Sequence, residues 1–317
     1  MFAIDVQHVA KRFGSTHALT DVSLQVRCGD IVGFLGSNGA GKTTALRGLM
    51  GLIRFDSGTA RVLDLDPWHD RVALHTRIGY LPSGMGMYAR MTGRELLDYT
   101  ASLAHGSGAA SPLRRTALDA LEMSDTDLAR PMEQYSKGMR QKVAMIQALQ
   151  HDPELLMMDE PSEGLDPLVQ HAVYELLRAR AAAGRTILFS SHTLSEVEAL
   201  CDRVVIVRSG VTVIDASLSE LRAQRPRIVR LAVRDAGDAL DHLGPAYVRQ
   251  LDDHAGRAVF EVTAAPDAIV AALAHLHVTD LLIEEPDLEH IFRSYYGVTA
   301  AAPAPAPTPA AAHDGGH

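Results

Sequence analysis

Nine consecutive residues carry the chain's most explicit chemistry: Gly36, Ser37, Asn38, Gly39, Ala40, Gly41, Lys42, Thr43 and Thr44. They fit the pattern G-x-x-x-x-G-K-[ST] without a mismatch, and that pattern belongs to loops that cradle phosphate groups. Glycines at 36, 39 and 41 let the backbone approach phosphate oxygens that a side chain would block. Lys42 is spaced to reach the β- and γ-phosphates of a nucleoside triphosphate, and the Thr43 hydroxyl to bind Mg²⁺. Two further positions could act on such a substrate. Asp159 and Glu160 close the apolar run Leu155-Leu156-Met157-Met158. One carboxylate there can hold a Mg²⁺ shell opposite Thr43, and its neighbour can accept a proton from an attacking water.

These residues need elements to hold them. Ile31-Val32-Gly33-Phe34-Leu35 reads as a buried strand and Thr44–Met50 as a helix, so the loop lies between a strand end and a helix N-terminus. Free N–H groups and the positive end of the helix dipole then converge on one point. Arg77–Pro82 reads as another strand, followed by the flexible run from Ser83 to Tyr88. Arg185–Ser191 is a strand leading into His192 and the helix Leu194–Cys201, and Val204–Val207 with Val211–Ile214 forms a hairpin.

Strands alternating with helices imply an α/β core with a mainly parallel sheet. Before it, the segments Ala3–Val6 and Val22–Val26 alternate as an antiparallel layer, with Lys11-Arg12-Phe13-Gly14 expected in the turn between them. From Thr92 to about Gln150 the pattern is helical, which predicts an inserted helical subdomain. One of its helices is marked by Leu96, Leu97, Tyr99 and Leu103, and another carries the stripe Met139, Val143, Ile146 and Leu149. The expected organisation is an ATP-binding domain over residues 1–224 and a small α+β accessory domain over 225–298. The latter has strands Ile228–Val233, Tyr247–Leu251, Ala258–Thr263 and Val278–Glu284, and helices Asp267–Leu276 and Leu288–Tyr296. Residues 299–317, rich in alanine and proline, are expected to be a disordered tail.

Composition narrows the classes. The 317 residues include 30 Lys plus Arg against 39 Asp plus Glu, a net charge of −9, so no nucleic-acid partner is expected. The N-terminus lacks a signal-peptide layout, and no apolar run reaches the ~20 residues that span a bilayer. Cys28 and Cys201 are far apart and read as packing residues of a reducing compartment. The 15 histidines form no metal-ligand cluster.

From Phe2 to Ile214 the order and spacing of these motifs resemble the ATP-binding subunits of ABC transporters, with Tyr135–Lys142 and the C-terminal domain most like the ABC-2-type exporter branch. The resemblance implies a P-loop NTPase of ABC type with an antiparallel β layer and inserted helical subdomain, plus a small C-terminal α+β domain. It implies Glu160 as general base and His192 as the switch histidine that contacts the γ-phosphate. It implies ATP and Mg²⁺ as cofactors, with Thr43, Asp159 and Ser83 toward the metal. Phe13 takes the adenine-stacking position. Ser136 and Gly138 belong to the signature segment that meets ATP held by the other subunit, and Asp166 to the loop signalling between the two sites. The chain departs from the pattern at Ser83, where glutamine is usual, at Lys137, where glycine is usual, and at Glu163, where serine is common. Implied partners are a separate transmembrane permease and a second ATPase subunit, as homodimer or heterodimer, at the cytoplasmic face of the cell membrane. A non-transport ATPase, or a regulatory module that holds ATP without turning it over, remains the alternative.

Overall fold

The computed structural model describes residues 1–84, 90–105, 113–223, 227–233, 248–254, 257–262, 266–274 and 277–284. Contacts divide the chain into two compact units, Met1–Leu221 and a second beginning at Arg222.

The first unit is built on a nine-stranded sheet. Strands β1 (Phe2–Phe13), β2 (Thr16–Arg27), β3 (Ile31–Leu35), β4 (Ser57–Val62), β5 (Ile78–Leu81), β6 (Leu155–Asp159), β7 (Thr186–Ser191), β8 (Arg203–Arg208) and β9 (Val211–Ser217) run in the order β4-β1-β2-β9-β8-β3-β7-β6-β5. β4, β1 and β2 pair antiparallel, whereas β8, β3, β7, β6 and β5 are parallel. Every residue of β3, β6 and β7 is buried, the signature of parallel strands covered on both faces. Phe34 and Phe189 are fully buried; each such side chain contributes about 1.5–3 kcal/mol, so burial holds these strands and leaves the loops at their ends free to be polar.

Helix α1 (Lys42–Leu49) follows β3, and α2 (Arg71–His75) precedes β5. Between β5 and β6 the chain inserts α3 (Gly93–His105), α4 (Arg114–Ala120), α5 (Asp125–Leu128) and α6 (Lys137–Leu149). α5 opens on a capping box between Ser124 and Asp127. Buried Gln150 ties the insert together: its Nε2 donates to Leu97 O at 3.0 Å, and Arg114 Nε donates to its Oε1 at 2.8 Å. α7 (Pro167–Ala182) starts at Asp166, whose carboxylate caps Val169 N–H at 3.0 Å, with proline at the first helical position as sterics favour. α8 (Leu194–Leu200) follows β7, and α9 (Leu218–Ala223) follows β9.

Three readings change. Lys11, Arg12 and Phe13 belong to β1, not to a turn: they pair with Leu19, His17 and Thr16, leaving the turn to Gly14 and Ser15. Gly14 takes φ 57°, which suits glycine. In α3, Leu96, Leu97 and Ala101 are buried, while Tyr99 and Leu103 are 47% and 67% exposed, so the packed face is narrower than the apolar pattern. Cys201 is buried and its thiol is pushed well up by that burial, but Cys28 is exposed and does not pack.

In the second unit, β10 (Arg227–Val233), β11 (Val248–His254), β12 (Arg257–Val262) and β13 (Val278–Glu284) form an antiparallel sheet in the order β11-β12-β10-β13. Its helix α10 (Pro266–Leu273) adds Ile269 and Leu273 to a core of Val229, Leu231, Phe260 and Val262. Glu284 pairs with Arg230 at 2.9 Å, as a charged strand end does. The expected helix Leu288–Tyr296, the tail 299–317, residues 224–226 at the boundary, and most of the run Ser83–Tyr88 lie outside the described residues. Among the described residues no helix is long and apolar enough to cross a membrane.

Candidate functional site

Four neighbouring strands, β3, β7, β6 and β5, end at the same side of the sheet, and each delivers part of one site. In parallel α/β sheets that carboxyl edge is where ligands bind. Beyond β3 come Gly36–Gly41 and the start of α1; β6 ends in Asp159, followed by Glu160; β7 ends in Ser190 and Ser191, next to His192; Ser83 follows β5. Between them these segments enclose a cavity of about 490 Å³, lined by Ser37–Gly39, Gly41–Thr44, Ser83, Asp159, Glu160 and His192 among others, inside the roughly 300–1,000 Å³ range of small-ligand sites.

The phosphate loop is shaped by backbone demands. A Cβ on Gly36 would stand 2.6 Å from Val207 O and 2.9 Å from Ala40 Cβ. Gly41 has φ 106°, and a Cβ there would stand 2.6 Å from Ala18 O. Gly41 is also the N-cap of α1, and no side chain caps that helix, so the first-turn N–H groups are aimed at the cavity. Lys42 is 6% exposed. Its Nζ donates to Gly36 O at 2.6 Å and stands 3.6 Å from Glu160 Oε1. A buried ammonium needs anionic company, and this one is held at the cavity wall.

Asp159 is 1% exposed, and both of its oxygens are occupied. Thr43 Oγ1 donates to Oδ2 at 2.7 Å, and the Ser190 hydroxyl donates to Oδ1. Burial, then the charge of Asp159, pushes the phenol of Tyr80 upward. Glu160 leaves the strand with φ 54°, a left-handed conformation that is rare for a non-glycine residue and concentrates at functional sites. Its Oε2 is 2.6 Å from His192 Nδ1. Gln141 of α6 braces this turn from behind, donating to Glu160 O at 3.2 Å and Pro161 O at 2.9 Å.

The chemistry of the donor set fits Mg-ATP. Thr43 Oγ1 and Asp159 Oδ2 are adjacent hard oxygen donors of the kind Mg²⁺ takes. Loop amides, the α1 N-terminus and Lys42 supply the positive field that polyphosphate requires.

Of the residues singled out from sequence, Ser37, Asn38, Gly39, Gly41, Lys42, Thr43, Thr44, Ser83, Asp159, Glu160 and His192 line this cavity. Gly36 lies behind it as the carbonyl partner of Lys42, and buried Ala40 closes the loop through its N–H to Ser37 O at 3.0 Å. Phe13, Ser136, Gly138 and Asp166 are not brought into it. Phe13 is 49% exposed, with Lys11 Nζ 5.4 Å from its ring centroid, and Thr16, His17 and Ala18 line the cavity instead. Ser136 caps α6 by accepting from Met139 N at 3.1 Å. A Cβ on Gly138 would meet Gly164 O at 2.7 Å, so α6 and the loop after β6 touch there. The two unusual residues on these segments, Lys137 and Glu163, form an ion pair with each other, and Glu163 also lines the cavity.

Sequence reasoning missed Ser190, Gln141 and the Thr16–Ala18 wall. Ser190 had a signal, a hydroxyl directly after the apolar run Ile187-Leu188-Phe189 of β7. Gln141 had a weaker one, a polar residue amid the buried face of α6.

Comparison with known proteins agrees with this fold. Residues 19–163 match the ABC transporter family model. An ABC transporter ATP-binding protein of Nostoc sp. is 43% identical over 64% of this chain and 61% of its own length; the match thus spans less than two thirds of that relative. Nod factor export ATP-binding protein I of Bradyrhizobium diazoefficiens is 33% identical, covering 92% of this chain and 95% of that protein. A solved structure described as the ATP-binding subunit of an ABC transporter superposes with a TM-score of 0.65 at 30% identity, covering 70% of this chain and 92% of that one.

Proposed function

The chain belongs to the ATP-binding subunits of ABC transporters, and from that premise we propose that it hydrolyses ATP to drive export through a separate transmembrane permease. The observation that carries the hydrolytic part is the Glu160–His192 pair, 2.6 Å apart at the cavity wall, with Lys42 Nζ 3.6 Å from the same carboxylate.

Lys42 and the loop amides bind the β- and γ-phosphates and draw off their charge. Thr43 and Asp159, with Ser83 also on the cavity wall, would hold Mg²⁺, which when bound would neutralise charge on the phosphate oxygens. Glu160 accepts a proton from the water that attacks the γ-phosphate, and His192 fixes the carboxylate and steadies that water. Ser136, Gly138 and Asp166 serve a second subunit. Ser136 and Asp166 are exposed away from this chain's own cavity, as groups that complete a neighbour's site must be. Phe13, equally exposed, stacks on adenine. ATP then bridges two subunits and ADP does not, so hydrolysis opens the pair. The second subunit is another copy or a homologue, and the pair works at the cytoplasmic face of the cell membrane without nucleic acid. Export is supported by the relative from Bradyrhizobium, a Nod factor export ATP-binding protein.

The test is steady-state phosphate release from Mg-ATP by the full chain, alone and with its co-purifying membrane protein. Glu160→Gln removes the proton acceptor and should lower turnover by about 10²–10⁴-fold while nucleotide still binds. Unchanged turnover in that variant would remove Glu160 from the chemistry. Tight binding without turnover in the unmodified chain, with or without the membrane protein, would favour the regulatory module, for which Ser83 in the glutamine position is the specific argument.

A further inference from the structure

Behind the Glu160–His192 pair lies a second carboxylate with both oxygens committed. Glu196, in the first turn of α8, accepts from the Ser162 hydroxyl through Oε1 and from Ser191 Oγ at 2.6 Å through Oε2. Ser162 is 7% exposed and Ser191 is fully buried. Each serine is a near neighbour of a catalytic residue: Ser162 stands two positions after Glu160, and Ser191 immediately precedes His192. Ser191 is also fixed within its own loop, where Thr193 N–H donates to its Oγ at 2.8 Å. Tyr174 of α7 closes the far side of the cluster; burial first, and then the charge of Glu196, push its phenol up to about 12.

Among the described residues these two segments are otherwise joined by Glu160 N–H, which donates to Ser190 O at 3.2 Å and faces Ser190 Oγ at 3.3 Å, by the Ser190 hydroxyl on Asp159, and at the His192 ring, 55% exposed, which is held by Glu160. A carboxylate is suited to the junction because two hydroxyl donors converge on it, and it offers acceptors only. Hydroxyl-to-carboxylate bonds are roughly twice as strong as neutral ones.

We propose that Glu196 is a positioning residue that clamps the loop after β6 to the end of β7, and thereby sets the Glu160–His192 distance at which the attacking water is activated. The proposal rests on the reading of Glu160 as the proton acceptor, and goes beyond it by naming what holds that acceptor in place. Glu196 does not line the nucleotide cavity, so its loss should act on the rate and not on binding.

The experiment compares Glu196→Ala, Glu196→Gln and the double variant Ser162→Ala/Ser191→Ala in Mg-ATP hydrolysis, with Glu160→Gln as reference, all in the full chain with its membrane partner. Misplacing a catalytic group by about 1 Å costs on the order of 10²-fold, so Glu196→Ala should lose about 10- to 100-fold in kcat. Its KM for Mg-ATP should stay within about threefold, since no binding contact is removed. Glu196→Gln keeps an acceptor for one serine and an amide for the other, and should recover most of the rate. The serine pair should lose as much as Glu196→Ala, and combining the two should lose no more, because all act through one junction. Wild-type kcat in Glu196→Ala, or parallel damage to kcat, KM and Tm in alanine and glutamine variants alike, overturns the proposal. Should Glu196→Ala not fold, the serine pair decides, and an unchanged kcat there overturns it equally. An inactive Glu160→Gln beside a fully active Glu196→Ala sinks the clamp alone; an active Glu160→Gln sinks the reading beneath it.

Discussion

Lys42→Met is the perturbation whose size is best defined by the geometry. The side chain is 6% exposed, and its Nζ is bonded to Gly36 O at 2.6 Å and stands 3.6 Å from Glu160 Oε1. Methionine keeps most of the volume, so the packing of the loop survives. What goes is a positive charge directed at the phosphate cavity. A hydrogen bond to a charged group contributes about 1.5–3 kcal/mol, and a lysine that serves two phosphates supplies about 3–6 kcal/mol in total. At about 1.4 kcal/mol per factor of ten, the Kd for Mg-ATP should rise about 10²–10⁴-fold. Adenosine, which lacks phosphate, should bind both proteins alike. Removing a buried cation costs the fold little, so Tm should move by no more than about 4 °C. Calorimetric titration with Mg-ATP and adenosine, on the unmodified chain, Lys42→Met and Arg115→Met, reads the affinities, and a thermal scan of each reads Tm; the last variant is a control for an exposed cation outside the cavity lining. A Kd for Mg-ATP within about threefold of wild type in Lys42→Met would refute the reasoning.

Gly36→Ala should be more damaging than a single methyl suggests. Its Cβ would stand 2.6 Å from Val207 O and 2.9 Å from Ala40 Cβ, an overpacking worth about 1–3 kcal/mol, visible as a fall in Tm together with weaker Mg-ATP binding. Acid stability should depend on Glu154. Arg77 holds it through a hydrogen bond at 2.7 Å and lowers its pKa from the ordinary 4.5. A depressed carboxylate stabilises the fold above its unfolded pKa, and that support is lost as pH falls through the folded value. Lowering the pH below about 4.5 should therefore cost the unmodified chain Tm that Arg77→Met has already lost, and a scan of Tm against pH for the two proteins checks it. Because the pair is half-exposed, the difference should be small.

How much of this could be read in advance follows from the range of the interactions. The phosphate loop is local: glycines, lysine and threonine in nine residues specify backbone shape and charge, and all but Gly36 and Ala40 reach the cavity lining. The parallel core was legible because β3, β6 and β7 carry mainly apolar runs that bury both faces, with their polar residues at the strand ends. The extension of β1 through Lys11–Phe13 was not, because pairing with β2 overrides a turn-like composition. Tyr99 and Leu103 fit a helical stripe, but packing uses only the arc around Leu96, Leu97 and Ala101. The junction at Glu196 joins residues from separate segments, and nothing in the spacing of Ser162, Ser191 and Glu196 announces that they converge. The same holds for Lys137 and Glu163: each is a departure on its own segment, and only the fold makes them partners.

The central claim is that a nucleoside triphosphate joins two of these subunits through half-sites that face outward on each. Light scattering of Glu160→Gln, mixed with Mg-ATP or Mg-ADP in the presence of its membrane partner's detergent-solubilised complex and in its absence, tests that claim most directly. The account predicts twice the 34.2 kDa chain mass with ATP and the single-chain mass with ADP. One chain mass with both nucleotides, and no ATP-dependent pairing within the membrane complex, would contradict it.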